Sequence, residues 1–279
     1  MTIAINVAVP EGIVFAADSR QIYTNARGDV RVGSDYGRKL FQLGPRAAAV
    51  TYGWAFLLGR SIGSHVNDFK VSLGNRRPSV EEMVQGLGQY LQQQYRLSLE
   101  KGYAQPVPQG NYAVAALVGG YNEGEKSGQV YELFVPEGEY YLVRKTSESP
   151  GISWRGQTQI IGRLLKGYDP RLRELPGFTE DLGKSLDGAK LDFIIDYWAM
   201  PLQDAIDLAL FCVRTTIEMQ RFSDGINLAP GASASCGGPI DVAVIEPNEG
   251  FRWVQNKSLR GERPTTLVAE SETWDRSRP

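Results

Sequence analysis

Hydrophobic and polar residues alternate along the first part of the chain, and a short apolar run follows. Residues 3–9 alternate with the period of a half-buried strand, and residues 13–17 form a continuous apolar stretch of strand length. The Pro-Glu-Gly sequence at residues 10–12 is typical of a turn. The pattern predicts an antiparallel hairpin with a three-residue turn.

The register of this hairpin brings chemically active side chains together. With a three-residue turn, Ala4 faces Asp18 and Thr2 faces Arg20. Thr2 and Asp18 then lie on one face of the sheet as diagonal neighbours, about 7–8 Å apart between backbones. We therefore expect a hydroxyl near the N-terminus, a carboxylate and an arginine to lie side by side.

Thr2 is a candidate nucleophile, because initiator methionine is commonly removed when the second residue is small. Removal leaves a hydroxyl and a free α-amine on one residue. The amine has an unperturbed pKa of about 8, so it accepts a proton near neutrality. Threonine activated by its own amine is a recognised nucleophile–base pair. Taken alone, such a threonine more often only starts an edge strand; the hairpin and the segments that follow favour the catalytic interpretation.

A second predicted hairpin adds a lysine to these candidates. Residues 39–43 alternate as in a strand, a Gly-Pro turn follows, and residues 46–53 run back. Lys39 lies at the mouth of this hairpin. If it points at Thr2 and Asp18, its charge lowers the pKa of the hydroxyl, and Asp18 keeps the ammonium ionised and in place. The structural alternative is a solvated charge at the end of a strand.

Gly53 ends the returning strand, directly before a helix predicted over residues 54–71. A glycine has no Cβ, so a substrate backbone is able to approach it closely. Its N–H is a candidate donor to an oxyanion. The alternative is a glycine present only for its backbone angles. A further helix is predicted from residue 79, where Ser79 and Glu82 have the spacing of a capping box.

Together these segments resemble a known family. Thr2 is followed by Gly-Ile-Val-Phe-Ala-Ala-Asp-Ser-Arg at residues 12–20, Arg-Lys-Leu-Phe-Gln-Leu at residues 38–43 and Ala-Val-Thr-Tyr-Gly at residues 49–53. This order resembles proteasome β-subunits and bacterial HslV-type peptidases, which are N-terminal-nucleophile (Ntn) hydrolases. The resemblance covers about residues 2–256 and is strongest before residue 53.

The resemblance implies roles for the four candidate residues. It implies that Thr2 attacks a peptide carbonyl, that Asp18 and Lys39 support the attack, and that the N–H of Gly53 stabilises the oxyanion. The implied activity is that of a threonine-type peptidase or amidohydrolase, which needs no cofactor or metal. The implied partners are peptides or unfolded proteins, further copies of the chain in a homo-oligomeric ring, and an ATP-dependent unfoldase.

The resemblance also implies a fold. It is a single α+β domain over residues 2–256, built as a four-layer αββα sandwich of two stacked, mainly antiparallel sheets. Weaker parts of the resemblance are strands at residues 112–121, 129–135, 139–143 and 240–245, and a helix at residues 202–213. Residues 173–199 are expected to form an insertion, and residues 257–279 a polar C-terminal tail.

Two departures from the family pattern favour an alternative function. The position of the usual Gly-Ser-Gly at the opening of the third helix is assigned to residues 162–164, which read Gly-Arg-Leu. The usual Asp and Ser before a late Gly-Gly pair are replaced by Ser-Ala-Ser-Cys at residues 233–236. The alternative is a catalytically silent relative that keeps the fold as an assembly or scaffold subunit.

The composition of the chain excludes several classes of protein. The chain has 279 residues, 42% hydrophobic and 22% charged, with a formal net charge of −2. It has no basic cluster for nucleic acid and no apolar run of about 18 residues that would span a membrane. With two cysteines and no signal-peptide pattern, we expect a cytoplasmic protein without a disulfide framework.

Rival chemistries have few residues to use. The single histidine, His65, falls within a helical pattern and is expected to be a packed or surface helix residue. One histidine and two cysteines do not make the usual zinc sites. Cys236, which precedes two glycines, is the best rival nucleophile, although a cysteine in a glycine-rich loop is more often inert.

Overall fold

A computed structural model of the protein describes residues 2–24, 30–189, 191–223 and 234–258. Most of the predicted polar tail, from residue 259 onwards, lies outside the described residues. In the described ranges no helix has the length and apolar character needed to cross a membrane.

Most strands belong to two antiparallel sheets of five strands each. Sheet 1 has the order β12 (Gly151–Gly156), β1 (Ile3–Val9), β2 (Gly12–Ala17), β13 (Asp241–Glu246) and β14 (Gly250–Gln255). Sheet 2 has the order β11 (Tyr140–Lys145), β10 (Gln129–Val135), β9 (Val114–Gly120), β6 (Ala47–Gly53) and β5 (Leu40–Gly44). Two small hairpins stand apart, β3 (Gln21–Thr24) with β4 (Val30–Ser34) and β7 (Phe56–Leu57) with β8 (Arg60–Ser61).

Helices cover the outer face of each sheet. The helices of the described residues are α1 (Ile62–Leu73), α2 (Val80–Glu100), α3 (Gln159–Lys166), α4 (Glu180–Gly188) and α5 (Leu202–Phe222), with a short 3-10 helix at Pro170–Glu174. The helices α1 and α2 contact sheet 2, whereas α5, joined by α3, contacts sheet 1. The predicted capping box of α2 is confirmed, since Ser79 and Glu82 each bind the other's backbone N–H.

Three apolar cores separate these four layers. One lies between the sheets and contains Phe15 and Leu117; a second lies under α1 and α2 and contains Leu87; a third lies under α5 and contains Ile5 and Val213. Strand residues alternate between the inner and outer cores because successive side chains point to opposite faces. The predicted α+β, four-layer αββα sandwich of the Ntn-hydrolase type is confirmed.

The register predicted for the first hairpin was wrong by one residue. In the structure Val9 pairs with Gly12 and Ala4 with Ala17, so the turn has only two residues. Gly12 belongs to the ladder, where a Cβ would lie 3.0 Å from a Leu202 side-chain atom of α5. Because a shift of one residue exchanges the two faces of a strand, Thr2 and Asp18 are not same-face diagonal neighbours.

The helix predicted over residues 54–71 begins only at Ile62. The preceding residues form the small β7–β8 hairpin, whose turn contains Leu58 and Gly59 with φ angles of 51° and 70°. Positive φ at both central residues is typical of a two-residue hairpin turn and ends any helix there. Ser61 then caps α1, because its hydroxyl accepts a backbone N–H of the first turn.

The opening of α3 was also misplaced. Residues 162–164 lie inside α3, and the turn that leads into the helix is Gly-Gln-Thr at residues 156–158. After α3 in the chain comes the region predicted as an insertion, residues 173–199. It contains the end of the 3-10 helix and α4.

Candidate active site

The carboxylate of Asp18 lies at the end of β2 and is 1% exposed. It accepts hydrogen bonds from four donors, which are the backbone N–H groups of Ile3 (3.1 Å), Arg20 (3.1 Å) and Gly237 (3.0 Å) and the Nζ of Lys39 (2.7 Å). These donors come from four separate stretches of the chain. The fold therefore fixes the position of this carboxylate.

Lys39 precedes β5 and reaches Asp18 from the other sheet. The residue is 6% exposed, so the alternative of a solvated end-of-strand charge does not fit the structure. A lysine is rarely buried without a paired charge. Here the pairing with Asp18 satisfies the ammonium, and the side chain still forms part of a cavity wall.

Thr2 precedes β1 and is 4% exposed. Its backbone carbonyl accepts a hydrogen bond from the N–H of Gln157, 2.7 Å away, in the turn that opens α3. This hydrogen bond holds Thr2 from the β12 side of β1, which is opposite to the β2 side. Its remaining exposed surface faces the same cavity as Lys39.

Gly53 ends β6 with a φ angle of 96°. A Cβ at this position would lie 2.4 Å from the carbonyl oxygen of Ala113, so only glycine fits. The residue is exposed to the cavity. The structural and the functional interpretations of this glycine are thus compatible, because the same lack of a side chain leaves its backbone open to a ligand.

The cavity has a volume of about 340 Å³. Three of the four predicted site residues line it, namely Thr2, Lys39 and Gly53, and Asp18 lies behind Lys39. The other lining residues are Arg20, Gln21, Ile22, Tyr23, Arg38, Thr51, Tyr52, Trp54, Ala55, Phe56 and Ile62. The β3–β4 and β7–β8 hairpins therefore supply walls that the sequence did not predict.

The cavity wall is aromatic and cationic. The rings of Tyr23 and Phe56 lie 5.6 Å apart, and no carboxylate occurs among the described lining residues. Arg20 donates two hydrogen bonds to Asp35, of 2.6 and 3.0 Å. Hydrogen bonding by this guanidinium lowers the pKa of Asp35 below its ordinary value. Arg20 is thereby held in place at the entrance to the site.

A buried amide network was missed in the sequence. Oε1 of Gln220 on α5 accepts hydrogen bonds from the N–H groups of Ser235 and Cys236, both 2.8 Å away. Its Nε2 lies 3.5 Å from Oε1 of Gln157, the residue that holds the Thr2 carbonyl. The available signal was a glutamine on the buried stripe of α5. Of the predicted 233–236 segment, residue 233 lies outside the described residues.

The rival candidates do not lie in the cavity wall. Cys236 is 1% exposed, and burial, with a smaller contribution from the charge of Asp18, raises the pKa of its thiol. Since the thiolate is the nucleophilic form, this environment disfavours reaction. His65 is buried in α1, and its Nε2 lies 2.9 Å from the carbonyl oxygen of Leu57. Within the described ranges no group of three His, Cys, Asp or Glu side chains is arranged to hold a metal ion.

The layers and the sheet topology are those of an Ntn-type sandwich, and the chain is similar to solved structures with this fold. A Gly-1 mutant of Anbu from Hyphomicrobium sp. strain MC1 is 17% identical, covers 92% of this chain and 86% of its own, and has a TM-score of 0.53. Anbu, described as an ancestral beta-subunit, from Yersinia bercovieri is 16% identical, with coverages of 90% and 87% and a TM-score of 0.53.

A third similar structure is a helical assembly of the Anbu complex from Pseudomonas aeruginosa. It is 17% identical, covers 92% of this chain and 88% of its own, and has a TM-score of 0.52. No model of a protein family and no curated protein matches the chain. At these identities the likeness establishes the fold.

The expected family was therefore wrong. The fold resembles Anbu proteins, which are proteasome-like but form a family distinct from the proteasome β-subunits and HslV-type peptidases named from the sequence. The motifs quoted from the sequence did not identify the family, because no family model matches the chain and its likeness to Anbu, at 16–17% identity, is one of fold.

Proposed function

We propose that this chain is a threonine-type Ntn amidohydrolase that acts on peptide bonds, with Thr2 as its nucleophile after removal of Met1. One observation carries the proposal. Thr2, Lys39 and Gly53 line a single cavity, and the ammonium of Lys39 lies 2.7 Å from a carboxylate oxygen of Asp18 behind it.

The chemistry assigned to these residues is acyl transfer. The Oγ of Thr2 attacks the substrate carbonyl carbon while the α-amine of the same residue takes the hydroxyl proton. The charge that develops on the carbonyl oxygen is stabilised by the N–H of Gly53, a type of contact whose removal costs about 10²–10³ in kcat. The amine returns its proton to the leaving nitrogen, and an ester to Thr2 remains.

The second half of the reaction releases the ester. A water molecule, or the amine of another peptide, attacks the ester carbonyl and gives up a proton to the α-amine of Thr2, and the Thr2 hydroxyl re-forms. Lys39, paired with Asp18, favours negative charge on the Thr2 oxygen. Asp18 orients Lys39. Hydrolysis and amide exchange therefore share the same acyl intermediate.

The protein is further proposed to work as a subunit of a homo-oligomer. Support comes from the helical assembly formed by the similar Anbu complex of Pseudomonas aeruginosa. It also comes from α5, on the outside of the sandwich, where Phe211 is 52%, Met219 47% and Phe222 70% exposed. The single domain at residues 2–256, the cytoplasmic location, the peptide or unfolded-protein substrate and the ATP-dependent unfoldase remain predictions from the sequence.

A silent assembly subunit is the second candidate. The observation that favours it is the turn into α3, which reads Gly-Gln-Thr at residues 156–158, whereas the resemblance implies Gly-Ser-Gly at this opening, so the serine hydroxyl is missing. If that hydroxyl is required for proton transfer, an intact Thr2 is not sufficient for activity.

Intact mass and active-site labelling distinguish the two candidates. We expect the purified protein to lack Met1 and to form a covalent adduct with a peptide epoxyketone, which joins both the hydroxyl and the amine of an N-terminal threonine. Peptide mapping should place the adduct on Thr2. A matched control is Thr51→Ala, which removes a second threonine hydroxyl among the described lining residues and should leave the adduct on Thr2. Retention of Met1 together with the absence of an adduct would favour the silent subunit.

A further inference from the structure

A second cavity, of about 270 Å³, lies at the end of sheet 2 remote from the candidate active site. It is enclosed by the tip of the β5–β6 hairpin, by the C-terminal end of α1 with the residues that follow it, and by the residues after β9. Lys39 and Gly53 lie at the base of the same hairpin. Since a strand rises about 3.3 Å per residue, the seven residues of β6 place the two cavities roughly 20 Å apart.

The wall of this cavity carries an excess of positive charge. Arg46, Lys70, Arg76 and Arg77 line it, and Glu123 is the single carboxylate among its described lining residues. The four positive charges repel one another, and a single carboxylate offsets only part of this repulsion. A bound anion would reduce it further. The charge of the wall therefore favours a negatively charged ligand.

Two of these cations have structural partners. Arg76 donates hydrogen bonds to the carbonyl oxygens of Ser72 (3.0 Å) and Leu73 (3.3 Å) at the end of α1. Arg77 lies 3.3 Å from Glu123 on the exposed rim. Their role is explained by helix capping and by a surface ion pair. They contribute charge to the cavity but do not by themselves indicate a ligand.

Arg46 is different, because its buried Nε has no hydrogen-bond partner among the described residues. Tyr121, which is 3% exposed, lines the same cavity, but its hydroxyl lies close to the hydroxyl of Thr146. A buried N–H without an acceptor is unfavourable. The Nε of Arg46, beside a cavity, therefore indicates a missing acceptor.

The rest of the wall is apolar. Leu43 is 2% and Met83 8% exposed, and Leu73, Pro45 and Pro78 complete this side. A site with a few convergent polar groups on an otherwise apolar wall is typical of small-molecule binding. The apolar side suits a hydrocarbon or ring attached to the anionic group.

We propose that this cavity is a binding site for a small ligand with a phosphate or carboxylate group on an apolar body. The guanidinium of Arg46 donates to the anionic oxygens, as arginine does in charge-assisted recognition of both groups. Lys70 adds charge at the entrance. The site is independent of the chemistry proposed for Thr2, so a failure of either proposal would not affect the other.

Calorimetric titration of the full-length protein tests the site, with phenyl phosphate, benzoate and inorganic phosphate as probes. We expect saturable one-to-one binding of phenyl phosphate or benzoate, and at least tenfold weaker binding of inorganic phosphate, which lacks the apolar body. The stronger of the two aromatic probes identifies the anionic group. Absence of saturable binding by both aromatic probes overturns the proposal.

Two variants and a matched control locate the binding. Arg46→Met keeps the aliphatic stem and should weaken the aromatic probe at least tenfold. Lys70→Met changes an exposed position that the fold does not require, and it should weaken binding of the aromatic probe severalfold. This variant replaces Arg46→Met as the test if Arg46→Met does not fold. Lys101→Met removes the same charge at an exposed position beyond α2 and should leave binding unchanged. Unchanged binding in the first two variants, or an equal loss in Lys101→Met, contradicts the assignment.

Discussion

Lys39 and Asp18 lie at the ends of strands in different sheets, and their side chains meet with 2.7 Å between Nζ and Oδ1. Asp18 follows β2 of sheet 1, and Lys39 precedes β5 of sheet 2. The side chains are 8% and 0% exposed, respectively. The pair therefore joins the two inner layers of the sandwich at the mouth of the candidate site, and its loss should affect both stability and activity.

Replacement of Lys39 tests both effects. Lys39→Ala should abolish amide hydrolysis and lower the free energy of unfolding by roughly 3 kcal/mol, because it leaves the buried Asp18 carboxylate without its cation. The sequence alone predicts a change of only about 0.5 kcal/mol, as for an exposed lysine. Urea unfolding and peptide turnover measure the two quantities. Lys39→Arg should not restore turnover, since a planar guanidinium does not fit the space of a compact ammonium.

The matched control is Lys184→Ala on α4, whose partner Glu180 lies 2.9 Å away in an exposed pair. Exposed pairs contribute about 0–1 kcal/mol, so this variant should unfold like the natural protein. Normal turnover in Lys39→Ala would return Lys39 to a purely structural role.

Replacement of Thr2 tests the nucleophile. Thr2→Ala should abolish turnover and labelling, and should leave the unfolding midpoint nearly unchanged, because the backbone carbonyl of residue 2 still accepts the Gln157 N–H. Peptide turnover, the mass of the epoxyketone-treated protein and thermal unfolding are the three measurements. Residual turnover at the natural rate would exclude the proposed mechanism.

The sequence anticipated the layers of the fold better than their local details. Alternating strands and two tight turns predict the β1–β2 and β5–β6 hairpins, and the family resemblance supplies the sandwich. The register of the first hairpin was not predictable from its turn residues. Whether Gly12 belongs to the turn or to the ladder depends on Leu202 of α5 and on β13, which approach it from distant parts of the chain.

In the candidate site, too, some features were predicted from the local sequence and others depend on distant parts of the chain. Thr2, Asp18, Lys39 and Gly53 follow from local motifs, and three of them line one cavity. The Gln157–Gln220 contact joins residues 63 positions apart, and no local pattern marks it. Tyr23 in the cavity wall comes from the β3–β4 hairpin, which was not predicted from the sequence. Tertiary packing decides such features.

Light scattering tests the proposed assembly. At micromolar concentration we expect a mass well above the 30.8 kDa of a single chain. Electron microscopy should then distinguish the closed ring implied by the sequence resemblance from an open helix. Identical head-to-tail contacts give a ring when the rotation closes and a helical filament when it does not. A clean mass of one chain at this concentration would contradict the assembly proposal, and Phe211→Ser on α5 should lower the mass if that surface is the contact.

The pH dependence of stability should reveal a second link between the sheets, formed by Glu132 on β10 and Arg155 on β12. Glu132 is 1% exposed and accepts hydrogen bonds from Nη2 of Arg155 and from the hydroxyl of Tyr141, both at 2.6 Å, and from the hydroxyl of Tyr52. Burial alone would raise the pKa of Glu132. The hydrogen bonds lower this pKa by more than burial raises it, so the pKa of Glu132 is below its ordinary value.

A carboxyl group with a lowered pKa in the folded state stabilises the fold above its unfolded pKa of about 4.3, and this stabilisation is lost as the pH falls through the folded value. We therefore expect the unfolding temperature of the natural protein to fall steeply below about pH 4.3. Glu132→Gln should be less stable at pH 7 by roughly 2 kcal/mol, below the roughly 3–5 kcal/mol of fully buried pairs, because Arg155 keeps 28% of its side chain exposed. Its pH profile should be flatter on the acid side, whereas Glu148→Gln, at an exposed pair with Lys145, should follow the natural protein. Superimposable acid profiles for the natural protein and Glu132→Gln would show that this carboxylate does not link folding to pH.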